Sequence, residues 1–237
     1  MSLFGPSVSG MDASRRRLDI SANNVANALT PGFKARRADQ VDMRTGGTRV
    51  AATSRDNSPG PLILGETRTF DMAVAGEGFF RVETPRGPRF ARAGMFKVDS
   101  AGSIVDSSGN LMSPPVTIPE GAIGFNVDVA GKISVVMGDG TTADIGTVTL
   151  TRFPNPGGLV EDGDSLLSMG PASGDPIEGT PGTEAFGSVR FGFLEGSNTD
   201  IVRETVEQIT DVRTFEANAN AVKAKDEMIG RVIDLKG

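Results

Sequence analysis

Residues Ser197–Ile229 read SNTDIVRETVEQITDVRTFEANANAVKAKDEMI, 33 residues without Gly or Pro. Val202, Val206, Ile209, Val212, Phe215, Ala219, Val222 and Ile229 recur at spacings of three and four, with one gap of seven. On an α-helix such positions form one apolar stripe. At 1.5 Å per residue the predicted helix is ~50 Å long. Ser197, Asn198 or Asp200 offers a side-chain oxygen to cap its first turn.

The other end of the chain carries a similar pattern. Met11–Thr30 contains neither Gly nor Pro. Phe4, Met11, Leu18 and Val25 recur every seven residues, and Val8, Ala22 and Leu29 sit four places after members of that row, with Arg15 interrupting it. This heptad-like spacing predicts an amphipathic helix. Pro31 disfavours helical geometry in the residue before it, so the helix stops there and Gly32 turns the chain. Residues 1–37 carry six Arg/Lys and two Asp/Glu, whereas residues 195–237 carry nine Asp/Glu and six Arg/Lys. Opposite charge favours pairing of the two ends, although an exposed ion pair contributes only ~0–1 kcal/mol. The apolar stripes are expected to contribute more.

Between the ends, Gly and Pro punctuate the chain. Lys34–Phe70 is polar and poorly periodic, and reads as an extended arm with one or two strands. From Met72 onward, turn signals recur every ~8–12 residues, the pattern of an all-β body. Gly76–Gly78, Pro85–Pro88, Ser100–Gly102 and Ser107–Gly109 are the turns. Phe79–Val82, Arg89–Arg92, Met95–Val98, Ile133–Met137 and Gly146–Phe153 are the strands, and Pro154–Gly158 and Gly170–Gly182 are loops. The expected fold is therefore a mainly β central body of short strands and hairpins, with long N- and C-terminal α-helices that pair as a coiled-coil-like stalk. The expected segments are an N-terminal helix and turn over 1–33, an arm over 34–71, a β-rich body over 72–194 and a C-terminal helix over 195–237.

Composition narrows function. The 237 residues include no His, Cys, Trp or Tyr. Without His or Cys there is no imidazole-activated nucleophile, thiolate chemistry or disulfide. Gly (31) and Pro (14) make up about a fifth of the chain, against ~12% on average, so turns replace core volume. The net charge of −6 argues against nucleic acid as a partner. No stretch reaches the ~18 apolar residues of a membrane span, so no membrane insertion is expected. Met1–Gly10 has no positive charge and no apolar segment follows, so no cleaved signal peptide is expected.

Ser21–Ala22–Asn23–Asn24–Val25–Ala26–Asn27, followed by Thr30–Pro31–Gly32–Phe33–Lys34, resembles the N-terminal signature of the bacterial flagellar rod and hook proteins. Leu194–Glu195–Gly196–Ser197–Asn198, Arg213–Thr214–Phe215–Glu216 and Asp226–Glu227–Met228 resemble the C-terminal signature of the same family. Val74–Val82 and Arg92–Phe96 look like its central hairpins. Pro115–Pro119, Asn155–Leu159 and Ser173–Gly182 resemble the distal rod branch, whereas the short Phe33–Phe70 segment departs from it and Arg213–Glu216 resembles the proximal one. The resemblance implies paired terminal helices lining a tubular polymer, with the β body as an outer layer. It further implies a periplasmic rod that carries motor torque to the hook, and export through the flagellar type III apparatus. Its partners would be copies of itself, neighbouring rod and hook subunits and surrounding ring proteins. No catalytic, cofactor or metal site is expected.

The candidate assembly residues are Met11, Leu18, Asn23, Asn24, Val25, Asn27, Val206, Ile209, Val212, Phe215, Ala219, Val222 and Ile229. Asn23, Asn24 and Asn27 are poor helix formers that either prepare the turn before Pro31 or offer amides to a neighbouring subunit. Arg15, Arg16 and Arg17 read as a solvated face, or as partners of Glu204, Glu207 or Asp211 on a neighbouring C-terminal helix. Glu161–Asp162–Gly163–Asp164 and Asp99 with Asp106 are the best acidic clusters, and would serve a cation or a carbohydrate-cleaving carboxylate pair if not simply β-turns. Gly76–Glu77–Gly78 lacks the third glycine and following helix of a dinucleotide site and reads as a hairpin turn. Phe79, Phe80, Phe90 and Phe96 read as core; residues 38–194 carry twelve Arg/Lys against nineteen Asp/Glu, the wrong surround for a nucleic-acid stacking platform.

Overall fold

The structure is a computed structural model that describes residues 4–65, 70–183 and 185–234, without the side chains of residues 232 and 233. Residues 1–3 and 235–237 of the expected terminal segments, 66–69 of the expected arm and 184 of the expected body lie outside the described residues. The chain folds into two compact units. One comprises the described residues of Met1–Ala28, Lys34–Asp56 and Thr199–Gly237, and the other those of Leu29–Phe33 and Asn57–Asn198.

In the helical unit, α1 spans Gly5–Ala26 and α2 spans Ile201–Asp234. Pro6 sits in the first turn of α1, where its missing N–H costs nothing. At the other end the Asn27 N–H donates back to the carbonyls of Asn23 and Asn24. Of the three expected caps of α2, Asp200 is the one used: its Oδ1 accepts from the N–H groups of Val202 (2.9 Å) and Arg203 (3.1 Å). The unit also contains an antiparallel hairpin, Arg36–Asp42 with Thr48–Arg55, where an arm was expected. Its tip meets the start of α1, the Thr48 N–H donating to Ser9 Oγ at 3.3 Å. Its base meets the end of α1, the Arg36 N–H donating to Asn24 Oδ1 at 2.9 Å.

The β unit is built around an antiparallel sheet that has eleven strands among the described residues. Strand Phe79–Thr84 lies at its middle, flanked by Gly87–Ala91 and by Leu111–Ser113. From Leu111–Ser113 the sheet continues through Ile104–Asp106, Met95–Val98, Phe70–Ala75 and Ser188–Phe191. A separate three-stranded meander comprises Ala122–Val127, Lys132–Met137 and Thr142–Thr147. The period of two along each strand sorts the apolar side chains into two clusters. Phe80, Val82 and Ala91 join Phe70, Met72, Phe96, Ile133 and Leu150 in the larger. Their neighbours Phe79, Phe90 and Leu167 face the other way and pack with Phe153 and Leu159.

Three local expectations change. The Pro85–Pro88 turn is tighter than expected, because Gly87 already pairs with Thr84 across Pro85–Arg86. Gly146–Phe153 is two strands, ending at Thr147 and restarting at Leu150, since Val148 instead donates its N–H to the Gly131 carbonyl. The Gly170–Gly182 loop contains a short strand, Ile177–Gly179, paired with Leu150–Arg152.

Candidate functional site

The two helices meet through polar and small side chains. Ser21 Oγ donates to the Glu204 carbonyl at 3.0 Å, and Asn24 Nδ2 donates to Glu204 Oε1 at 3.0 Å. Arg17 forms an ion pair with Asp211. A Cβ placed on Gly10 would lie 2.9 Å from Asn218 Nδ2. Position numbers fall along α1 as they rise along α2, so the helices run antiparallel. On α1 the buried row is Ser7, Ser14 and Ser21 at a spacing of seven, and on α2 the buried residues Glu204 and Asp211 have the same spacing. Burial raises the Asp211 carboxyl above its ordinary value, and Arg17 offsets part of that effect.

Part of the apolar row of α2 lies elsewhere. Val202 is 74% exposed, and Val206 and Ile209 are each 58% exposed. Each stands two residues from Glu204 or Asp211, a rotation of about 200° around an α-helix. They therefore occupy the face of α2 opposite the α1 seam. Val212 and Phe215 are exposed, and Ala219, Val222 and Ile229 are half-buried. On α1, Met11, Leu18 and Val25 are half-buried and Val8 is exposed; Leu29, beyond the helix, is exposed too. Hydroxyls, an amide and an ion pair thus join the two helices, and the half-buried Met11, Leu18 and Val25 each stand four residues after a seam serine.

The asparagines divide by role. Asn24 is buried and bonds both to Glu204 and to the Arg36 backbone. Asn27 Nδ2 donates to the Asn23 carbonyl at 2.9 Å, and Asn23 is exposed. Of the arginines, Arg15 is exposed and Arg16 pairs with Asp12 of its own helix at 3.0 Å. Glu207 pairs with Arg203 at 3.1 Å. Arg17 and Asp211 do come together, but within one chain.

The acidic clusters serve turns and ion pairs. Asp99 Oδ1 accepts from the N–H groups of Ala101 and Ser103, and Asp106 Oδ1 from those of Ser108 and Asn110. Asp128 repeats the arrangement with Ala130 and Lys132. In each turn a Gly follows three residues after the Asp at φ between 79° and 88°, a region closed to most side chains. Asp162 accepts from Arg89 Nε at 2.6 Å, and this bond lowers its carboxyl pKa. Among the described residues, no helix is long and apolar enough to cross a membrane.

Sequence reasoning named Asn24, Arg17, Glu204 and Asp211 of this polar seam, but missed its serine row and its closure within one chain. Its signal was present in the seven-residue spacing of Ser7, Ser14 and Ser21, and of Glu204, Asp211 and Asn218.

Terminal helices around a strand-built unit, with distinctive residues at both ends, describe a class of filament subunit, and comparison with known proteins names it. Residues 7–34 match the family described as flagella basal body rod protein. Residues 73–135 match the flagellar hook protein FlgE/F/G D1 domain, and residues 191–235 the flagellar basal body rod FlgEFG protein C-terminal family. The flagellar basal-body rod protein FlgG of Bacillus subtilis is 33% identical over 258 aligned residues, covering 97% of each chain. FlgG of Agrobacterium fabrum is 32% identical over 92% of this chain and 93% of its own. The rod protein FlgF of Caulobacter vibrioides is 29% identical over 94% of this chain and 93% of its own. The chain belongs to the family of flagellar rod and hook proteins. It is a structural subunit of the flagellar basal-body rod and not an enzyme.

Proposed function

We propose that this subunit polymerises through its terminal helices into the tubular drive shaft that crosses the periplasm and carries torque to the hook. One observation supports this reading above the others: α2 has two unlike faces. Glu204 and Asp211 engage the chain's own α1, while Val202, Val206 and Ile209 stay exposed on the opposite side. Burying that apolar face against helices of other copies gains roughly 25 cal/mol per Å², and contacts that do not close on themselves build a helical filament. In the polymer the helix pair forms a coiled-coil-like stalk and the β unit an outer layer. Met11, Leu18, Val25, Asn23, Asn27, Val212 and Phe215 complete the surface offered to neighbours. Rod and hook subunits, surrounding rings and the flagellar type III export apparatus are its partners.

The test is the double variant Val206→Asp/Ile209→Asp. Both residues are exposed in the lone subunit, so its circular dichroism and melting temperature should match those of the parent, while rod assembly and motility are lost. A folded variant that still assembles would overturn the proposal.

A further inference from the structure

Arg92 and Glu195 are both buried in the β unit and form an ion pair. A buried pair needs its remaining polar atoms satisfied, and here backbone from two stretches of chain meets the side chains and a third meets the Glu195 carbonyl. Arg92 donates to the carbonyls of Gly78, Val74 and Gly76, the last two at 3.1 and 2.6 Å. Glu195 Oε1 accepts from the Gly60 N–H at 2.9 Å, and the Glu195 carbonyl accepts from the Gly32 N–H at 2.8 Å.

These contacts lie where the chain enters and leaves the β unit. It enters at Leu29, leaves after Phe33, re-enters at Asn57 and leaves for the last time after Asn198. Around the pair, the Gly196 N–H donates to the Pro61 carbonyl at 2.8 Å and the Asn198 N–H to the Phe33 carbonyl at 3.4 Å. Asn198 Nδ2 adds a bond to the Ser58 carbonyl at 3.1 Å. Every passage of the chain out of this unit is therefore tied to another within it.

From this we infer that Arg92 and Glu195 form a fixed joint that fastens the exits of the β unit, and that they act as positioning residues for the rod. The sequence at the exits, Pro31–Gly32, Gly60–Pro61 and Gly196, is of the kind that supplies hinges. The ion pair converts these segments from hinges into anchored connections. A torque-carrying subunit needs such a joint, because these segments are the covalent links between the terminal helices and the β unit. The inference rests in that respect on the proposed function.

The experiment is amide hydrogen exchange on the purified full-length chain, comparing the parent with Glu195→Gln and with the neutral pair Arg92→Gln/Glu195→Gln. The neutral pair leaves no unmatched buried charge and keeps the test open if the single variant does not fold. The expected result is exchange roughly tenfold or more faster at Gly32, Gly60 and Gly196, with amides of strand Phe79–Thr84 unchanged. Unchanged protection at those three glycines would overturn the joint. Equal acceleration at the exits and in Phe79–Thr84 would also overturn it, since the pair would then serve only the stability of the whole unit. The measurement reads the lone subunit, so its failure leaves the assembly proposal standing. Failure of the Val206/Ile209 test leaves the joint standing in turn.

Discussion

Arg17 of α1 and Asp211 of α2 form an ion pair in a seam whose neighbouring contacts are a serine hydroxyl and an asparagine amide. The Asp211 side chain is almost fully buried, while Arg17 keeps part of its surface in water. Removing the carboxylate strands a partly buried cation. Asp211→Ala should destabilise the helical unit by about 1–3 kcal/mol, discounted from the fully buried case because Arg17 is partly solvated. The double variant Arg17→Leu/Asp211→Leu should recover most of that loss. Urea denaturation followed in the helix band of circular dichroism checks both values.

Two carboxylates give opposite responses to acid. Burial raises Asp211 above its ordinary 3.8, so its contribution favours the folded state fully below 3.8 and fades as pH rises through the raised value. The hydrogen bond from Arg89 lowers Asp162 below 3.8, so its contribution is present above 3.8 and is lost as pH falls through the lowered value. Asp211→Asn should remove a small gain in helix stability on acidification towards 3.8. Asp162→Asn should remove part of the loss below it. Melting temperature against pH for the parent and each variant gives the comparison.

Gly94 allows no side chain. A Cβ there would lie 1.4 Å from the Met72 carbonyl oxygen, which accepts no shift without breaking strand Phe70–Ala75. Gly94→Ala should cost about 3 kcal/mol or more, at the upper end of single-substitution effects. Gly109→Ala provides the contrast. A Cβ there meets nothing within 4 Å, and the only penalty is its φ of 88°, about 1–2 kcal/mol. Thermal melts of both variants should rank them in that order.

The three Asp-capped turns should not be equal. Asp106 is buried and also accepts from the Asn110 side chain at 2.8 Å, whereas Asp128 holds an exposed turn with backbone bonds alone. Asp106→Ala should cost about 2 kcal/mol and Asp128→Ala about 1 kcal/mol, because only the first leaves buried donors unmatched. Equal losses in denaturant unfolding would contradict that ranking.

Local pattern determined what was legible in the sequence. The C-terminal helix was read as Ser197–Ile229 and spans Ile201–Asp234, since a long stretch free of Gly and Pro is its own signal. Strand Met95–Val98 and the turns at Gly102 and Gly109 fall where the punctuation put them. Hairpin Arg36–Arg55 was legible only as an arm with one or two strands, because most of its residues are exposed and lack the alternation that marks a buried face. The serine row of the seam escaped because serine at heptad spacing looks like a solvated face until the partner helix is in place. Glu195 was noticed only as part of a terminal signature. Its pairing with Arg92, 103 residues earlier in the chain, has no local trace.

The distance in sequence between those two residues sets a timetable. Gly32, Gly60 and Arg92 all depend on Glu195, near the end of the β unit. A chain emerging N-terminus first from a ribosome carries its early segments unfastened until Glu195 follows. Contacts of such long sequence separation form slowly. The exits of the β unit are therefore fastened last, when the segment that carries Glu195 arrives.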